Sequence, residues 1–242
     1  MARVTENGIS GLVGNLIFYS VNGKNYVRTR PKPRKKKRGE KANPLNTIFG
    51  TVSRHGSKML KLVSEEFGFP IKRDVYNSTR GWMRNLYSAH KDDASWPLSV
   101  RSSGMCQLNP GTDLRDYFKA DITVSDSGKG KITVSFPDIN PKNDIKAPIR
   151  TMKVNIKLIA VVSNFETGVH PCRACTEQYS FIFDNSPVPA KSFVLQTKAG
   201  AGDIGLVMLA MQFETADLPA GTFNKELRWM PAAIVAMGRL RA

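Results

Sequence analysis

A chain of 242 residues with 41% hydrophobic composition is long enough for one large domain with a true apolar core, which excludes a chain disordered throughout. Its net charge of +16 is unevenly placed: residues 1–101 hold 20 Lys/Arg against 7 Asp/Glu, whereas residues 102–242 hold 16 against 13. Basicity therefore belongs to one end, which points to a polyanionic partner there.

The first readable element is a β-hairpin. Asn22-Gly23 joins two strand-like runs, Leu16–Val21 and Lys24–Thr29, and Asn-Gly suits a two-residue type I′ turn because both central residues need positive φ. That register pairs Tyr19 with Tyr26 and Phe18 with Val27. With Ile17, these form apolar faces that a two-stranded hairpin must dock on something. Gly8, Gly11 and Gly14 precede it and suit a tightly bent approach.

Pro31 and Pro33 then favour an extended path, along which nine cations fall between residues 28 and 41: Arg28, Arg30, Lys32, Arg34, Lys35, Lys36, Lys37, Arg38 and Lys41, against Glu40 alone. After Pro44 the period changes. Leu45, Ile48, Phe49, Val52, Met59, Leu60 and Val63 fall largely on one helical face through Glu66, and Gly68 and Pro70 stop the helix. A second helix is expected over 72–89, with Val75, Trp82, Met83 and Leu86 turned inward.

From about Leu98 the pattern is β, with strands expected at 121–125, 131–136, 152–162, 178–183, 192–197, 206–213 and 229–240. Within "KVNIKLIAVV", Val154, Ile156 and Leu158 alternate with Lys153, Asn155 and Lys157 before the run turns wholly apolar. Short turns such as "SDSGKG" separate the runs. The expected fold is α+β: a basic region over 1–97, comprising the hairpin, the cationic arm and two helices, packed with an antiparallel, Ig-like β-sandwich of seven to eight strands over 98–242.

Two motifs point toward chemistry. Gly200, Gly202 and Gly205 make a formal G-x-G-x-x-G, which needs a strand before it and a helix after it to seat a pyrophosphate. The following run, "LVMLAMQF", reads as a strand, so a glycine-rich hairpin loop is expected instead. In "HPCRAC", His170, Cys172 and Cys175 are weak candidates for a structural zinc, with Cys106 as a distant fourth ligand. The Pro-Cys-x-x-Cys half of a zinc-deaminase signature lacks its His-x-Glu half, and two reduced cysteines in a strand connection are the favoured reading. No Gly-x-Ser-x-Gly or complete P-loop occurs. Asp92, Asp93, Asp113 and Asp116 sit where turns or helix stops explain them. The chain is thus read as a non-enzyme with no cofactor, no metal and no small-molecule substrate.

An extended basic arm can follow a phosphate backbone, releasing a counterion at each neutralised phosphate. Arg54, Lys58, Lys61, Lys72, Arg73, Arg80 and Arg84 could broaden the patch, and no base-reading module accompanies it. The competing readings are a solubilising run and a contact with an acidic protein face. The N-terminal apolar patch is interrupted by Gly14 and Asn15 and falls short of a membrane span, with no secretory or lipidation motif. Three cysteines make no disulfide framework. The expected location is the cytoplasm or a particle assembled there, with no membrane partner.

"GISGLVGNLIFYSVNGKNYVRTRPKP", followed by an amphipathic helix ending in "EEFGFP", resembles a family of uncharacterised proteins from Bacteroidota. That family carries a glycine-spaced segment and a Gly-x-x-Tyr-x-Arg-x-x-Pro hairpin, here Gly23, Tyr26, Arg28 and Pro31. "RSSGMCQL" and "ITVSFPDI" resemble its later strands more loosely, so the resemblance is specific over residues 8–70. "KPRKKKRGEK" is more basic than the family pattern, and the helix lacks its Gln-x-x-x-Arg opening. The resemblance implies the architecture and carries over no catalytic residue. Two functions follow from these readings. One is a structural or assembly protein, such as a virion or other particle component, which docks by its hairpin on its own copies or other subunits. The other is a sequence-indifferent nucleic-acid binder in the cytoplasm.

Overall fold

The computed structural model describes residues 3–5, 8–21, 23–32, 44–68, 71–166, 173–200 and 202–241, and the chain divides into two compact units, residues 1–42 and 43–242. In the first unit β1 (Arg3–Thr5), β2 (Gly8–Val13), β3 (Leu16–Val21) and β4 (Lys24–Thr29) form one antiparallel meander in that order. The two expected strands are thus the second half of a four-stranded sheet, in which β1 and β2 were not expected. β3 and β4 pair with Tyr19 opposite Tyr26 and Phe18 opposite Val27, and β2 pairs with β3 through Leu12–Ile17 and Val13–Leu16. The glycines that suggested a bent approach belong to strand and turn instead. Gly11 lies within β2 at φ +122°, and Gly14 takes φ +56° in the connection to β3, conformations that a side chain would strain. Gly23 has φ +75°, while Asn22 lies outside the described residues.

The second unit opens with α1 (Pro44–Phe67) and α2 (Arg73–His90), followed by the short α3 (Val100–Ser103), β5 (Cys106–Gln107) and α4 (Leu114–Tyr117). It continues through β6 (Thr123–Asp126), β7 (Lys131–Phe136), α5 (Pro141–Asp144), β8 (Thr151–Ser163), β9 (Arg173–Ile182), β10 (Lys191–Gln196), β11 (Ile204–Thr215) and β12 (Ala232–Arg239). Pro44 opens α1, where its missing N–H costs nothing. Gly68 at φ +75° closes it, donating its N–H to the Ser64 carbonyl. The protein is α+β with antiparallel sheets throughout.

Two sheets build the second unit, a three-stranded one ordered β10-β7-β6 and a five-stranded one ordered β5-β12-β11-β8-β9. The large sheet is buried on both faces. Leu158, Ala160, Val162, Val207 and Leu209 meet Ile132, Val134 and Leu195 of the small sheet. From the same strands Ile159, Val161, Leu206 and Met208 meet Val52, Met59, Leu60 and Val63 of α1. This double burial explains why the alternation in β8 gives way to an unbroken apolar run. The change falls where α1 ends: Lys157 Nζ donates to the Glu66 carbonyl, and beyond it the helix covers the strand as far as His55, whose Nδ1 lies 2.8 Å from Ser163 Oγ. A bulge completes the match. Val207 faces Ala236 but Met208 faces Ile234, so Val235 and Ala236 both join the inter-sheet layer while Ile234 and Met237 join the helix layer.

Candidate polyanion-binding surface

Directly paired residues of an antiparallel sheet share a face, so the register of β2, β3 and β4 sorts the first unit into two unlike surfaces. Ile9, Val13, Leu16, Phe18 and Val27 share one with Ser20, Asn25 and Thr29, and it carries no charge among these residues. Leu12, Ile17, Tyr19, Lys24, Tyr26 and Arg28 share the other. On this second face the Tyr19 and Tyr26 rings stack at 5.6 Å and 22°, and the Arg28 guanidinium sits 5.6 Å from the Tyr19 ring centroid. Every residue of β4 is exposed. None of the residues whose burial is described in this sheet is buried, although Val13 is 52% and Val27 54% exposed.

Arg30 donates its backbone N–H to the Asn15 carbonyl at 2.7 Å, extending the β3–β4 ladder by one residue and fixing where the arm leaves the sheet. Arg30 and Lys32 are exposed. The remaining arm cations, Arg34, Lys35, Lys36, Lys37, Arg38 and Lys41, lie outside the described residues.

The helical cations form a separate group. Arg54, Lys58, Lys61, Lys72, Arg73 and Arg84 are exposed, and Lys61 lies 3.8 Å from Glu65. Arg80 instead lies half-buried between aromatic rings, 6.0 Å from the Phe49 centroid and 5.9 Å from that of Tyr76. Phe49, expected on the inward face of α1, is 52% exposed. Lys58 and Lys61 border a cleft of about 420 Å³ floored by Leu60 and Ile71, and Tyr76 pins its rim by donating its hydroxyl to the Ser57 carbonyl at 2.8 Å.

The zinc set that included Cys106 is overturned by topology. Cys106 lies on β5 and Cys175 on β9, the opposite edges of the five-stranded sheet, about 19 Å apart at four strand spacings. They also face different layers, Cys175 the inter-sheet core and Cys106 the helices. His170 and Cys172 lie outside the described residues, among which no group of three or more His, Cys, Asp or Glu could hold a metal ion. Burial pushes both described thiols up from their ordinary pKa.

Gly205 lies inside β11, so a strand and not a helix follows the glycine-rich motif. The segment is also not a hairpin loop. It crosses between sheets, since β10 belongs to the three-stranded sheet and β11 to the five-stranded one. Asp93 accepts from the backbone and hydroxyl of Ser95 at 2.8 and 2.6 Å, bonds that hold its carboxyl below the usual range. Asp113 caps α4. Both carboxylates hold turns.

The β3–β4 register that separates the two faces is the one expected from the sequence, whereas β2, which adds Ile9 and Val13 to the apolar face and Leu12 to the other, is a strand that sequence reasoning missed. Gly14-Asn15 between "ISGLV" and "LIFYSV" is itself a two-residue turn signal and could have revealed it.

No protein-family model matches this chain, and no curated protein matches it. None of the described helices is long and apolar enough to cross a membrane.

Proposed function

We propose that this chain is a non-enzymatic structural or assembly protein, a virion or other particle component. Its N-terminal sheet docks on a second copy or another subunit, and its anchored cationic arm contacts nucleic acid or an acidic partner. The uncharged face of the N-terminal sheet carries the reading, with Ile9, Val13, Leu16 and Val27 each more than a third exposed. Three strands of six residues and one of three offer a face of about 330 Å², within the range of patch sizes that are often functional. Such a sheet gains stability by covering that face.

The same reading places the protein in the cytoplasm or in a particle assembled there. It takes the three- and five-stranded sheets as an Ig-like sandwich, supported by their shared apolar layer. It also retains the kinship of residues 8–70 with the Bacteroidota family. The second reading, a sequence-indifferent nucleic-acid binder, is favoured by the exposed tyrosine–arginine face beside the arm.

Light scattering of the purified protein at two salt concentrations, with the 260/280 nm absorbance ratio recorded, tests the proposal. Oligomers are expected from the intact chain, and deletion of residues 1–30 should abolish them while the remainder stays folded. A monodisperse monomer from the intact chain would remove the assembly reading.

A further inference from the structure

We infer that the second face of the N-terminal sheet, built around Tyr19, Tyr26, Arg28 and Lys24, is a stacking platform for single-stranded nucleic acid. The inference deepens the proposed function, since it rests on the cationic arm meeting a nucleic acid and names the form of nucleic acid involved.

The two faces of the sheet differ in what they can bind. The apolar face has no charge among its described residues and suits a protein surface. The opposite face places two aromatic rings beside two exposed cations: Tyr26 is 44% exposed, its ring stacks with that of Tyr19, and Arg28 lies against Tyr19. A protein core has no use for such a combination on an exposed edge strand, where Arg28 and Lys24 would have to be desolvated. An unstacked base offers a π-face to a tyrosine or a guanidinium plane, and its phosphate offers a charge to Lys24 and Arg28.

Charge complementarity fixes the sign of the partner. Residues 1–42 hold 11 Lys/Arg against 2 Asp/Glu, and the hydrogen bond from Arg30 to Asn15 makes the arm continuous with the strand that carries Tyr26 and Arg28. A nucleic acid that meets Arg30 and Lys32 therefore meets residues next in the chain to those of the aromatic face. A duplex keeps its base faces stacked inside and can use the arm alone. The platform therefore confers a preference for single strands that charge alone cannot give.

Fluorescence anisotropy with a labelled 15-nucleotide oligothymidylate and a 15-base-pair duplex, measured on the full chain at matched salt, tests the inference. The single strand is expected to bind at least about tenfold more tightly. Tyr26→Val keeps strand propensity while removing the ring and should weaken single-strand binding by at least about fivefold, leaving duplex binding unchanged. Tyr26→Phe should retain the preference. Photocrosslinking of the unaltered protein to an oligonucleotide carrying 5-iodouracil should label Tyr19 or Tyr26, a readout that needs no variant.

Equal affinity for the two probes, an unaffected Tyr26→Val variant, or crosslinks confined to other residues would overturn the inference. So would a change in oligomer size upon Tyr26→Val without a change in affinity, since the face would then be a protein interface. The assembly reading stands or falls separately, on whether deletion of residues 1–30 abolishes oligomers.

Discussion

Two glycines show how a single hydrogen can decide the fold locally. A Cβ on Gly238 would lie 2.5 Å from the backbone Cα and N of Leu98 and from the Pro97 carbonyl oxygen, atoms that cannot move aside. A Cβ on Gly205 would meet only side-chain atoms, those of Leu240 at 3.2 Å and beyond, and no backbone. Gly238→Ala should therefore cost about 3 kcal/mol and Gly205→Ala under about 1 kcal/mol, compared by urea unfolding. Asp113 gives a pH-dependent counterpart. Its side chain accepts from Arg115 Nη2 at 2.7 Å and from the Arg115 backbone at 3.0 Å, and the hydrogen bond to the Arg115 side chain is the main force holding its carboxyl below the usual range. A folded carboxyl titrating below its unfolded value contributes fully above about pH 5 and loses that contribution as the pH falls toward the folded value. Asp113→Ala should cost about 0.5–2 kcal/mol at pH 7 as a lost helix cap. The unfolding midpoints of variant and wild type should draw together as the pH falls through the folded carboxyl's titration, below the ordinary carboxylate range.

Between elements, the junction of α1 with β8 is set by one lysine. Lys157 reaches the Glu66 carbonyl and lies 3.9 Å from the Glu66 carboxylate, placing a cation at the negative end of a 24-residue helix. Lys157→Ala should lower the stability of the second unit by about 0.5–1 kcal/mol, with the loss seen first as faster amide exchange in the last turn of α1. Much at this scale was legible in the sequence. The period of Val52, Met59, Leu60 and Val63 marked α1, and that of Val75 and Met83 marked α2, because a helix packed on one side must repeat its apolar residues. β7 was legible because it alternates, burying Ile132, Val134 and Phe136. β5, two residues long, carries too little pattern to register, and β2 was obscured by Gly8 and Gly11, which read as turn residues. Trp82 and Leu86 are only partly buried against α1 and the sheet, whereas Thr79 and Tyr87 are fully inside. The polar Thr79 position is occupied because its hydroxyl receives the Cys106 thiol at 3.6 Å, a contact only the fold reveals.

For the molecule as a whole, charge and apolar burial are segregated. The first 42 residues hold more than half of the net charge, whereas both apolar cores belong to the second unit. Contact between about five arm cations and duplex phosphates would give a log–log salt slope near about −4.5. Replacing Arg34–Arg38 with glutamine should make the slope markedly less negative, leaving only the share of the remaining cations, as filter-binding titrations at several salt concentrations would show. The candidate site was legible in its charge, since five consecutive cations after two prolines need no structure to be noticed. The pairing of Tyr19 with Tyr26 on one face and of Phe18 with Val27 on the other was legible from the Asn22-Gly23 turn, whereas the residues that β2 adds to each face were not. A one-residue shift between β3 and β4 would exchange Tyr26 for Val27 beside Tyr19.

The strand order of the large sheet also bears on how the protein is made. β12 lies between β5 and β11, so an interior position is filled by the strand that the ribosome delivers after all its neighbours. Until residues 232–239 emerge, the nascent chain exposes the apolar run of β11 along the unpaired edge that β12 will cover, the combination that recruits chaperones and invites aggregation. Synthesis of this protein is therefore expected to lean on cotranslational chaperone binding until β12 is in place. Ribosome-bound chains halted before residue 232 should be captured by a hydrophobic-segment chaperone and released once β12 is clear of the exit tunnel.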